Sequence, residues 1–229
     1  MRQLAKWLAF LLFAAAVPIA IYKIEHATYS WKQKLTVSVE TPEGPASGSS
    51  VTAVEWWDNF FRGGWGGADK HYSLTGEAVV VDLGKGRYLF APLKPSPSAG
   101  GESIADLAAQ VATGKRGRQW SKAAFRAVRD LPRPATVPAE LYPLLVTFDD
   151  IADPTTVRQV DPSDLGSVFG PGYALKAITL EITDEKVTWG EVERALRRKP
   201  GDGSLDDIWQ KIPGHARSIL SSVNWIRDR

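Results

Sequence analysis

The chain has 229 residues, of which 44% are apolar and 24% charged, and its formal net charge is +2. This composition lies in the ordinary globular range and excludes a disordered or collagen-like chain. The near-neutral balance excludes whole-molecule attraction to polyanions, so no nucleic-acid partner is expected and any anion must be met by a local cluster. Cysteine is absent, which excludes disulfides, thiolate nucleophiles and zinc–thiolate sites.

From Trp7 to Tyr22 the chain runs WLAFLLFAAAVPIAIY without a charge, after Arg2 and Lys6 and before Lys23. A basic stretch ahead of an apolar one is the pattern of an export or insertion segment. As a helix the run measures about 24 Å, short of the roughly 30 Å hydrocarbon core. With Lys6 and Lys23 snorkelling toward the headgroups, the helix from Leu4 to Ile24 reaches about 31 Å, and Trp7 and Tyr22 fall at interfacial depth. Residues 1–27 are therefore expected to be a signal anchor, with residues 4–24 in the lipid bilayer. Residues 28–229 would be an exported domain, with a subdivision expected near 95–102. The basic N-terminus predicts a single-pass protein of the cell inner membrane, N-terminus cytoplasmic and C-terminal domain periplasmic or extracytoplasmic, although Lys23, Lys32 and Lys34 reduce the asymmetry. The competing reading is cleavage after Ala16, where Ala14 and Ala16 meet the small-x-small rule. That would leave an apolar run of only Trp7 to Phe13 and release a soluble secreted domain.

Leu35, Val37 and Val39 alternate with Thr36, Ser38 and Glu40, the period of a strand with one buried face. Thr41 to Pro45 turns the chain into a second strand over about Ser49 to Trp57. An aromatic, glycine-rich loop is expected from Trp57 to Gly67. Glu77 to Leu83 and Arg87 to Leu93 read as a hairpin around Gly84-Lys85-Gly86. Ser103 and Asp106 open a helix bearing Ile104, Leu107, Ala108 and Val111, and a second helix is expected from Trp120 to Leu131. After the Pro-rich stretch Pro132 to Pro138 comes a strand at Leu144 to Phe148. Asp161-Pro162-Ser163-Asp164 predicts a helix start and Gly170-Pro171-Gly172 its end. Ala174 to Thr183 alternates as a half-exposed strand, and helices are expected at Thr188 to Arg198, Ser204 to Lys211 and His215 to Ile226. Strands and helices are segregated more than alternated, so the fold class is α+β with mainly antiparallel sheet. There is no internal repeat.

Four groups of residues could carry function. Trp57, Phe60, Phe61 and Trp65 lie in Trp56 to Gly67 and would form a stacking platform, a peptide groove or an interfacial wedge if exposed; rings plugging the end of a sheet are the bland alternative. Lys122, Arg126 and Arg129 share one helix face opposite Phe125, Val128 and Leu131, within a segment that also holds Lys115, Arg116, Arg118 and Arg133. Such a face contacts anionic lipid or an acidic partner, or is simply solvated. Asp149, Asp150 and Asp153 follow a strand and could hold a hard cation, though their spacing departs from the EF-hand loop and suits a turn equally. His71, with Asp69 and Asp58, is the one place where a base and carboxylates crowd together. The chain has no G-x-S-x-G elbow, H-E-x-x-H, P-loop or G-x-G-x-x-G, so no catalytic motif is recognised and no cofactor is expected. The functional expectation is a membrane-anchored envelope protein that acts by binding, as an interaction or assembly module with an envelope protein partner. The alternatives are an anchored hydrolase acting on envelope material through His71, and a secreted binding protein if Ala16 is the cleavage site.

Overall fold

The computed structural model describes residues 14, 28–59, 69–97, 99, 103–196 and 225–227, with the backbone alone at 58, 59, 69, 70, 154 and 227. The class is α+β: two antiparallel sheets with a few short helices. Among the described residues no helix is long and apolar enough to cross a membrane, and the anchor expected over 4–24 lies outside them apart from Ala14. The chain divides into two compact units, residues 1–30 with 55–72, and residues 31–54 with 73–229.

The first sheet has the order β10-β3-β2-β1-β9-β6, made of β1 (Tyr29–Glu40), β2 (Ala46–Asn59), β3 (Asp69–Glu77), β6 (Ala135–Thr136), β9 (Ala174–Ile182) and β10 (Ile226–Arg227). The alternation read from Leu35 to Val39 is what seats β1. Leu35, Val37 and Val39 are buried and their polar neighbours are not. Opposite them on β9, Leu35 faces Leu180 and Val37 faces Ile178. Slipping this register by one residue would turn all four side chains away from the core. The turn after β1 is closed by Gly44 N–H donating to Thr41 O at 3.0 Å.

The second sheet, β4-β5-β7-β8, consists of β4 (Val79–Asp82), β5 (Tyr88–Ala91), β7 (Val146–Phe148) and β8 (Val157–Gln159). Its β4–β5 hairpin turns at Gly84 to Gly86, as the sequence predicts, with Gly84 and Lys85 both at positive φ. Gly48 lies so close to β4 that a Cβ there would sit 1.8 Å from Val80 O. Phe90, Phe148 and Trp225 pack edge to face or tilted, with centroids 5.2 to 5.8 Å apart. Val146, Val157, Val192 and Ala195 complete that core. Burying one such side chain contributes roughly 1.5–3 kcal/mol.

Helices fill the gaps between strands. A 3₁₀ turn at Ile104–Asp106 leads into α1 (Leu107–Thr113), and α2 spans Lys122–Arg129. Ser103 and Ser121 cap them, accepting from the N–H of Ala105 and Ala124 respectively. α3 is Gly166–Phe169 and α4 is Glu191–Ala195. Glu77, fully buried on β3, accepts the N–H groups of Gly190 and Glu191 at 2.9 Å each. It caps α4 from a distant strand, because Gly190 has no side chain to do so. Burial still raises the Glu77 carboxyl above its usual range, against the lowering by those N–H groups.

Three expectations need correcting and one strand is additional. The second strand continues past its expected end to Asn59, so Trp57 lies in β2 and not in the loop expected to begin there. β3 is the additional strand, over residues that, apart from Glu77, the sequence assigns to no element: only Tyr72 and Leu74 suggest it, and pairing with β2 and β10 supplies the rest. The helix starting at Asp161 shrinks to four residues at Gly166–Phe169, since Asp161 spends its Oδ1 on Ser163 N–H in a turn and Asp164 receives Ser167 N–H. Residues 226–227 are a strand against Gly76 and Glu77, not the end of a helix, because Trp225 is drawn into the core beside them. The helix expected at 204–211 lies outside the described residues.

Candidate interaction surface

Helix α2 forms where the sequence places an amphipathic helix. Ala124, Phe125 and Val128 are buried; Lys122, Arg126 and Arg129 are exposed. The same holds before and after it. Lys115, Arg116, Arg118 and Arg133 are all exposed, so the seven cations of residues 115–133 stand at the surface with Asp130 as their single acid. Among the described residues Lys115, Arg116, Arg126, Arg129 and Arg133 enter no ion pair. The segment is held in shape, not splayed: buried Gln110 donates Nε2 to the Gly117 carbonyl at 2.9 Å, and the Arg118 guanidinium lies 4.3 Å above the Trp120 ring. A cation stacked this way keeps its charge at the surface while its stem covers apolar area.

A side-chain relay fixes these helices on the first strand. Trp31 Nε1 donates to Gln33 Oε1 at 3.1 Å, and Gln33, itself buried, donates Nε2 to Ile104 O at 3.0 Å. The Trp31 ring packs on Phe125 with centroids 5.9 Å apart. Asp106, 2% exposed, accepts from Trp120 Nε1 at 3.3 Å. Burial pushes its carboxyl up to about 6, with the hydrogen bonds from Trp120 and the Ser103 backbone acting in the opposite direction. The sequence identifies Asp106 only as an acid of a first helical turn; Trp120, fourteen positions on, is what closes over it. Arg118 reads only as part of the basic segment and Trp120 only as a helix start, and Trp31 is not singled out, because nothing local in the sequence announces a contact between distant residues.

In the smaller unit, Trp57 stacks on His71 with ring planes 24° apart and centroids at 5.9 Å, while Trp56 tilts on Tyr72 at 5.0 Å. Trp56 is buried and Trp57 half-buried, so these two residues divide between the two readings of the aromatic segment. Phe60, Phe61 and Trp65 lie outside the described residues. Asp58 and Asp69 fall in β2 and β3 with only their backbone described.

The acids after β7 behave as turn residues. Asp149 pairs with Arg158 Nε at 2.8 Å, Asp150 Oδ1 accepts Ala152 N–H at 2.9 Å, and Asp153 Oδ1 accepts both the hydroxyl and the N–H of Thr155. Those Thr155 bonds hold the Asp153 carboxyl below its usual range. Each carboxylate is committed to a separate partner, and no group of three metal-ligating side chains converges among the described residues. Two open clefts remain. One, of about 610 Å³, is bounded by Pro97, Tyr142, Leu145 and Val160. The other, of about 520 Å³, lies between Ser47, Ser49, Asp82 and α4, where Arg194 is already paired with Glu191 at 2.6 Å. Neither lining includes a histidine or a lysine.

No family model, no curated protein and no solved structure matches the chain.

Proposed function

We propose that this is a membrane-tethered interaction module of the cell envelope, anchored by residues 4–24, with the folded domain on the outer side of the inner membrane and an envelope protein as its partner. The observation that carries the proposal is the uncharged run from Trp7 to Tyr22, which ends only seven residues before the first strand begins at Tyr29. A run of this length and basic flanks is costly to expose to water and suited to a bilayer. A binding role is supported by where polar chemistry is spent. Asp106 and Glu77, buried acids whose carboxyls are raised, are consumed in holding helices, and seven exposed cations cluster on α2 and its flanks. Carbonate extraction of membranes from cells making the full chain with a C-terminal tag tests the tether. Full-length protein in the pellet supports it; a shortened species in the soluble exported fraction replaces it with cleavage after Ala16 and a secreted binding protein.

A further inference from the structure

Given that tether, we infer that the basic face of α2 docks on the anionic headgroups of the same membrane, fixing the domain with the start of β1 toward the lipid. Reach limits where the domain can go. Trp31 is seven steps along the chain from Ile24, and a chain covers at most about 3.6 Å per residue, so Trp31 stays within about 25 Å of the bilayer surface. Trp31 packs directly on Phe125, which lies on the buried side of α2, so the opposite, cationic side of that helix faces out at the tethered end of the larger unit.

Charge gives the second step. Arg126 and Arg129 enter no ion pair among the described residues, and beside β1 at this end Glu185 is matched by Lys34 at 2.8 Å, while Lys32 Nζ is held on the backbone carbonyls of Asp184 and Glu185. Asp106 faces inward. Arg126 and Arg129 therefore act on their surroundings within a Debye length of about 8 Å, and an anionic leaflet attracts such clusters additively. An acidic protein offers the same charge, but only the membrane is brought to this face by the chain's own connectivity.

The test uses the full chain, which lacks cysteine, so one engineered thiol labels one place. A fluorescent donor is attached at Ala123→Cys, exposed on α2, or at Lys85→Cys. Lys85 bonds Glu43 just past the other end of β1, and Trp31 to Glu40 spans about 30 Å. Each protein is reconstituted into vesicles of phosphatidylcholine, with or without phosphatidylglycerol, carrying a headgroup acceptor. The expected result is a ratio of transfer from position 123 to that from position 85, already above one through connectivity, that rises on going from neutral to anionic vesicles. It returns to the neutral-vesicle ratio in high salt and in the Lys122→Gln/Arg126→Gln/Arg129→Gln variant. The same ratio in anionic and neutral vesicles, in protein that floats with both, overturns the docking while leaving the tether standing; an acidic protein as the true partner gives that same result. A rise that survives high salt or the triple variant overturns the electrostatic claim. Protein that fails to float with any vesicle removes the tether itself.

Discussion

Replacing Asp106 with Asn should make the protein progressively more stable than the wild type as the pH rises. The carboxyl is 2% exposed, and burial moves it from 3.8 to about 6. With the folded-state value above the unfolded one, the folded protein binds the extra proton between those limits. Stability from this group is therefore fully present below about pH 4 and lost as the pH climbs through about 6. At about 1.4 kcal/mol per pH unit the loss amounts to about 3 kcal/mol, an order-of-magnitude figure. Asn keeps a carbonyl oxygen for Trp120 Nε1 but cannot ionise. Any fixed cost of the substitution is the same at both ends of the range, so the difference between variants isolates the titration. Urea denaturation in non-ionic detergent, followed by tryptophan fluorescence at pH 4 and pH 8, measures it. The variant should gain up to about 3 kcal/mol on the wild type between the two. A difference that stays flat would refute the view that burial of Asp106 beside Trp120 outweighs its hydrogen bonds and raises its carboxyl.

Four further substitutions probe the packing. Trp225→Ala removes the ring that joins Phe90 and Phe148 and should cost about 3–5 kcal/mol in the same denaturation assay. Gly48→Ala forces a Cβ to within 1.8 Å of the Val80 carbonyl, so β2 must move off β4. It should abolish the folded near-ultraviolet dichroism, whereas Gly84→Ala, with open space but φ +79, should cost only about 1 kcal/mol. Ser121→Ala deletes the cap of α2 and should cost about 1 kcal/mol, with hydrogen exchange rising first at Ala124.

Elements announced by local chemistry were legible in the sequence: β1 and β9 by alternation, the β4–β5 turn by Gly84-Lys85-Gly86, the first middle helix by Ser103 with Asp106, and the second by its amphipathic period. The basic face of α2 was legible for the same reason, since a helical period of 3.6 puts Lys122, Arg126 and Arg129 together without reference to anything else. What escaped depends on long-range pairing. β3 carries His71 and Lys70 where a strand usually shows branched or aromatic side chains, and gains its place from neighbours on either side. β6 is two residues inside a Pro-rich stretch, paired to Leu180 and Thr179. Trp225-Ile226 could extend a helix or start a strand, and only the pocket between Phe90 and Phe148 decides. Glu77 capping α4 across 113 positions has no signature at all in a single sequence.

The central claim, an anchored domain on the outer side of the inner membrane, is tested most directly by protease accessibility of a C-terminally tagged full chain. The tether predicts that the tag survives protease in intact cells and is lost once the outer envelope is permeabilised, with an N-terminal fragment left in the membrane. A tag that is digested only after the inner membrane is lysed, or one carried by a soluble shortened protein, would contradict the account.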